Sequence, residues 1–131
     1  MNELREKKGI YVLVLDKYKQ VYVGQSMVDI FKRIKRHWQR KIEFENLLIG
    51  KVNKTKFSID SFGILDTTRI YVELIDSGRY NVSAKIDERE RYLVNKIPDK
   101  FLLNKVGGGI KLGKPNSFEE FISTYKQIQL E

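Results

Sequence analysis

The sequence predicts one α/β (α+β) domain, residues 1–131, built on a small, three-stranded, mainly antiparallel sheet flanked by helices. Three observations predict it. Gly9 to Leu15 and Gln20 to Gly24 are short runs rich in Val, Ile, Leu and Tyr, close enough to form a hairpin. A third run, Arg69 to Asp76, alternates apolar and polar residues as a strand does. Around these lie segments with helical periodicity and capping residues, and no repeat, low-complexity tract or Pro/Gly-rich linker divides the chain. With 41% apolar residues spread over 131 positions, there is enough material for one core and too little for two.

Taken in order, the hairpin strands are joined by the polar stretch Asp16 to Gln20. Ser26 and Asp29 are both suited to cap a helix running to about Arg40 or Lys41, whose Phe31, Ile34, Trp38 and Ile42 recur as one apolar stripe. Glu43 to about Lys51 fits a second short helix, and Asn53 to Thr67 reads as loop. After the third strand, Ser77-Gly78 turns the chain. Ser83 then caps a helix from about Ala84 to Lys96, stopped by Pro98. Phe101 to Asn104 is expected to be extended and Gly107 to Gly109 a loop. Asn116 or Ser117 would cap a last helix to about Ile128, a helical extension over 110–131.

Composition narrows the chemistry. The chain has no cysteine, so disulfide scaffolds, thiol catalysis and Cys-based zinc sites are excluded. Its single histidine, His37, excludes a multi-histidine metal centre. Any metal must be held by carboxylates, carbonyls and water, which selects a hard ion such as Mg²⁺. No apolar run approaches the roughly 20 residues of a membrane span, and Met1 to Lys8 is too charged for a signal peptide, so a cytoplasmic protein is expected. Lys plus Arg number 25 against 17 Asp plus Glu, a net charge of +8. The charges are segregated: Arg33, Lys35, Arg36, Arg40 and Lys41 crowd one segment, while acids gather at Asp87 to Glu90 and Glu119-Glu120. That distribution favours a nucleic-acid partner over mere solubility.

The hairpin has a parity argument. With an even connection, opposed residue numbers sum to 35, so Tyr11 faces Gly24 and Tyr22 faces Leu13. The two tyrosines then share a face as diagonal neighbours; an odd loop would part them. In the first helix, Arg33 and His37 are one turn apart at the edge of the apolar stripe, placed to send polar ends into a groove. Lys32, Arg36 and Arg40 project outward, where phosphate contact is natural. In the later helix, Glu90 opens Glu-Arg-Tyr-Leu-Val, with Leu93, Val94 and Ile97 as packing residues and Glu88 as a competing carboxylate two residues earlier, on a different side. Asn104 precedes Lys-Val-Gly-Gly.

This ordered set resembles the GIY-YIG nuclease family, as a free-standing domain whose motif core spans about 9–109. Gly9-Ile10-Tyr11 and Tyr22-Val23-Gly24 match the two name-giving tripeptides, with Val23 for the usual Ile. Arg33, His37, Glu90 and Asn104 follow in the family's order, and Gln25-Ser26 is similar to its continuation. The resemblance implies a metal-dependent DNA endonuclease leaving 5′-phosphate and 3′-hydroxyl ends. It implies that Glu90 holds Mg²⁺ or Mn²⁺, mostly through water, and that Arg33 grips the phosphate. Tyr11 would activate the attacking water and Tyr22 orient it; His37 could equally be the terminal proton acceptor. Asn104 would brace the site. Lys32, Arg36, Arg40 and Lys41 would contact DNA, double-stranded or branched. Double-strand cleavage would need a homodimer or sequential nicks, and specificity could come from the segment Ile42 to Thr67, from a separate partner or from dimerisation. The alternative is a non-catalytic DNA- or RNA-binding module using the same basic helix.

Overall fold

A computed structural model of the chain describes residues 2–40, 47–48, 67–75, 82–97, 101–104, 118–123 and 127–128. Strands β1 (Gly9–Leu15), β2 (Gln20–Ser26) and β3 (Arg69–Leu74) form an antiparallel sheet in the order β2-β1-β3. The helices are α1 (Ile30–Gln39), α2 (Val82–Lys96) and the short α3 (Phe118–Ile122). This is the small α+β sheet-and-helix architecture expected.

β1 lies between β2 and β3, and all seven of its residues are buried. Its unbroken apolar run follows from cover on both faces, which removes the polar alternation of a half-exposed strand. Tyr11, Leu13 and Leu15 point to one face with Ile70 of β3 and pack on Ile30 and Ile34 of α1 and on Leu48. Ile10, Val12 and Val14 point to the other, with Val21, Val23 and Tyr71, against Ile86 and Leu93 of α2 and Ile97 just after it. Two apolar cores therefore sandwich the sheet.

The hairpin connection is Asp16–Lys19: Leu15 pairs with Gln20, and a single 3₁₀ turn over Asp16–Tyr18 is closed by Lys19 in the left-handed conformation. Four connecting residues make an even loop, so Tyr11 opposes Gly24 and Tyr22 opposes Leu13, as the parity argument requires. Gly9 begins β1 at φ 149°, and a Cβ there would sit 2.2 Å from the Glu73 carbonyl oxygen of β3. Only glycine allows that approach.

Both candidate caps of α1 are used, one after the other. The Ser26 hydroxyl accepts from the N–H groups of Val28 (3.2 Å) and Asp29 (2.9 Å), closing the turn; Asp29 Oδ1 then accepts from Lys32 N–H at 3.0 Å and caps the helix.

Four expectations are corrected. α2 begins at Val82, so Ser83 lies inside its first turn and is not the cap. Phe101 is in a 3₁₀ turn, and pairing starts only at Leu102, which bridges Val21 in parallel. The last helix stops at Ile122, and Gln127–Ile128 forms a fourth strand, β4, beside β3. Pairing with the open edge of β3 satisfies backbone groups that a longer helix would leave on that strand. Phe118 and Ile122 of α3 belong to the α2-side core. Finally, the sheet has a fourth, two-residue strand.

Leu47 and Leu48 are helical, within the short helix expected over 43–51. The rest of that helix, Ile42, Lys41, the 53–66 loop, Ser77-Gly78, Pro98, Gly107 to Gly109 and the Asn116/Ser117 cap lie outside the described residues. Among the described residues, no helix is long and apolar enough to cross a membrane.

Candidate active site

The site begins with a missing side chain. Tyr11, 1% exposed on β1, lays its ring across Gly24 of β2, where a Cβ would sit 2.2 to 2.5 Å from the ring atoms and hydroxyl. Glycine is the one residue that lets the ring pass, and the crossing carries the Tyr11 hydroxyl over the sheet's outer paired strand. There it meets His37 of α1, with 2.7 Å between the Tyr11 oxygen and Nε2. The Tyr22 ring stands edge-on to the same imidazole, centroids 5.0 Å apart. The two tyrosines and the histidine form one aromatic cluster on the α1 face.

His37 departs from its expected place. It is 4% exposed, inside the core and not at its rim. Burial pushes its imidazole down to about 4, helped by the positive charges of Arg33 and Arg36. Burial, reinforced by Tyr22, pushes the Tyr11 phenol well above its ordinary value, against an opposing pull from Arg33. Both groups are therefore neutral at pH 7. In the tautomer with the imidazole proton on Nδ1, the phenol O–H donates and Nε2 accepts.

Arg33 lies one turn before His37 on the exposed face of α1. Its positive charge is felt by Tyr11, His37 and Glu90 alike, drawing the Tyr11 phenol and the Glu90 carboxyl down against their burial. One cation thus connects three other candidate groups.

Glu90 reaches the site from the opposite layer. Gln25 pairs with Ile10 in the β1–β2 register, so its side chain faces α2. Its Nε2 donates to Glu90 Oε2 at 2.5 Å and to Asp87 Oδ1 at 2.8 Å. Burial raises the Glu90 carboxyl above its ordinary value and the charge of Asp87 adds to this, against the Gln25 hydrogen bond and Arg33. Asp87 was not singled out in the sequence. Three residues before Glu90 it shares a helix face, whereas Glu88 lies on a different side, as expected, and is exposed.

Asn104 holds the strand and not the reacting groups. Its Oδ1 accepts from Val23 N–H (2.9 Å) and its Nδ2 donates to the Val23 carbonyl (2.8 Å), completing one rung on the outer edge of β2. Leu103 N–H adds a bond to the Val21 carbonyl at 2.8 Å. Val23 lies between Tyr22 and Gly24, so this clamp sets the strand from which both act. Lys32 and Arg36 on α1 and Arg40 at its C-cap are exposed, as is Arg33; Lys41 is outside the described residues.

Among the described residues, no group of three or more His, Asp or Glu side chains could hold a metal by itself. The half-buried Glu90 carboxylate, its pKa raised by burial and by the charge of Asp87, does suit an oxygen-seeking divalent ion that keeps most of its water. No protein-family model matches the chain, and no curated protein or solved structure matches it significantly.

Proposed function

We propose that the chain is a metal-dependent DNA endonuclease of GIY-YIG type, hydrolysing phosphodiesters to 5′-phosphate and 3′-hydroxyl ends. The observation that supports it most is the convergence around β2 of a neutral phenol–imidazole pair, a guanidinium and a carboxylate, brought by β1, α1 and α2. Phosphodiester hydrolysis asks for those groups: a path for a proton, a cation on the phosphate and an anchor for a metal.

Tyr11 alone is a poor base, because burial holds its proton tightly. Through its bond to His37 it can pass that proton on while taking one from water, so the pair moves a proton without a free phenolate. His37 is weakly basic while Arg33 and Arg36 stand beside it uncompensated. A bound phosphate neutralises those cations and so raises the imidazole's proton affinity when the acceptor is needed. Arg33 grips the non-bridging oxygens with a permanently charged fork. Glu90 would hold Mg²⁺ or Mn²⁺ mainly through water, and the ion, when bound, supplies positive charge at the phosphate and the leaving 3′ oxygen. Tyr22 orients the water or phosphate from its place against His37.

The basic face formed by Lys32, Arg36 and Arg40 also fits the second reading, a DNA- or RNA-binding module without catalysis. Purified protein should nick supercoiled plasmid with Mg²⁺ or Mn²⁺ and stop on chelation, and Glu90→Ala or Arg33→Ala should abolish nicking. Salt-sensitive binding with no cleavage of duplex, branched or single-stranded DNA under any divalent metal would favour the second reading.

A further inference from the structure

We infer that Gln25 and Asp87 are a coupled pair of positioning residues for Glu90, an inference that rests on the nuclease reading. The geometry is specific. The two hydrogens on Gln25 Nε2 go to two acceptors, Glu90 Oε2 and Asp87 Oδ1, which sit three residues apart on one face of α2. Gln25 Oε1 is buried and has no hydrogen-bond partner among the described residues. An amide held only through its nitrogen has nothing to fix which end faces the carboxylates except its two acceptors. With Asp87 in place, the reversed amide would aim its oxygen at two carboxylates, so the donor end is locked toward Glu90.

The consequence is a fixed Glu90 rotamer. Gln25 occupies Oε2 and leaves Oε1 as the oxygen turned to a ligand. The tie also spans the sheet: Gln25 follows Gly24 directly, so the strand that carries the Tyr11 ring on one face sets the carboxylate on the other. Asp87 acts through Gln25, as an acceptor, and not by contact with the ion. Groups that orient a metal ligand in this way commonly change affinity or activity by about 10- to 100-fold when removed.

The test measures Mn²⁺ binding to the whole chain by electron paramagnetic resonance, alongside the Mg²⁺ dependence of nicking. Gln25→Met keeps the side-chain length and removes the donor; Asp87→Ala removes the acceptor; Asp87→Asn keeps an acceptor and removes the charge. The expected result is about tenfold weaker Mn²⁺ binding in Gln25→Met and Asp87→Ala. Their double variant should be no weaker than Gln25→Met alone, and Asp87→Asn should recover most of the affinity. KM for DNA should stay put while kcat falls. Unchanged Mn²⁺ affinity in folded Gln25→Met overturns the inference, as does Asp87→Asn as weak as Asp87→Ala. Should Gln25→Met fail to fold, the two Asp87 variants decide it. Mn²⁺ binding indifferent to Glu90→Ala overturns the nuclease reading itself, whereas binding that needs Glu90 and ignores Gln25 overturns this inference alone.

Discussion

The two faces of β2 differ in how they treat charge. On the α1 face, Tyr11 and His37 are buried, hydrogen-bonded to each other and neutral. On the α2 face, Glu90 and Asp87 are half-buried, tied by one amide and in mutual repulsion. Proton transfer is best served by groups whose charged forms are costly, so that neither is trapped ionised. Metal binding is best served by anionic oxygens that have lost part of their water and gain from a cation. The sheet keeps the two apart, and Gly24 is where they come together.

That division is broken most severely at Gly24. Gly24→Ala forces a methyl group into the Tyr11 ring and should cost about 3 kcal/mol of stability, read as a lower denaturant midpoint. In a Tyr11→Ala background the same Gly24→Ala change should cost much less, which shows that the ring and not the strand backbone is the obstacle.

The neutrality of the dry face can be read on His37, the only histidine in the chain. Its imidazole proton resonances should titrate near 4 in the free protein, and at higher pH once a DNA duplex is bound without metal. The unfolded chain takes up this proton near pH 6.5 and the folded chain only near 4. Stability should therefore fall as pH drops through that window, by ~3 kcal/mol at most from this group. A titration near 6.5 in the folded protein would mean that the imidazole is solvated, and the contrast between the faces would go with it.

Asn104→Ala removes both bonds to Val23 and should cost roughly 1–2 kcal/mol, with a fall in nicking rate larger than any change in DNA affinity. Smallest of all, Lys32→Ala, Arg36→Ala and Arg40→Ala should each lower the salt dependence of DNA binding by about one counterion while leaving the fold intact.

How much of this was legible in the sequence follows from the range of each interaction. The hairpin register was legible up to the parity of its connection, a local property; the four-residue loop of the structure then fixes which face each tyrosine takes. The α1 cap and stripe were legible for the same reason. His37 was misplaced because four-residue spacing gives an angle on the helix but not the depth of what packs above it, and Tyr11 and Tyr22 bring that cover from the sheet. β4 was missed because two residues carry no period, and only the open edge of β3 makes them a strand. Asp87 was missed because what marks it out is Gln25, 62 residues away and in another layer. The Cβ-free crossing at Gly24 explains physically why a tripeptide ending in glycine faces one ending in tyrosine, which spacing alone does not reveal.

The central claim is that the two faces of β2 serve one reaction. The most direct measurement compares nicking of supercoiled plasmid in Mg²⁺ by wild-type protein, Tyr11→Phe from the dry face and Glu90→Ala from the charged one, each checked for folding. The account predicts that wild-type protein nicks and that each folded variant loses about 100-fold or more. Full activity in either folded variant would contradict it.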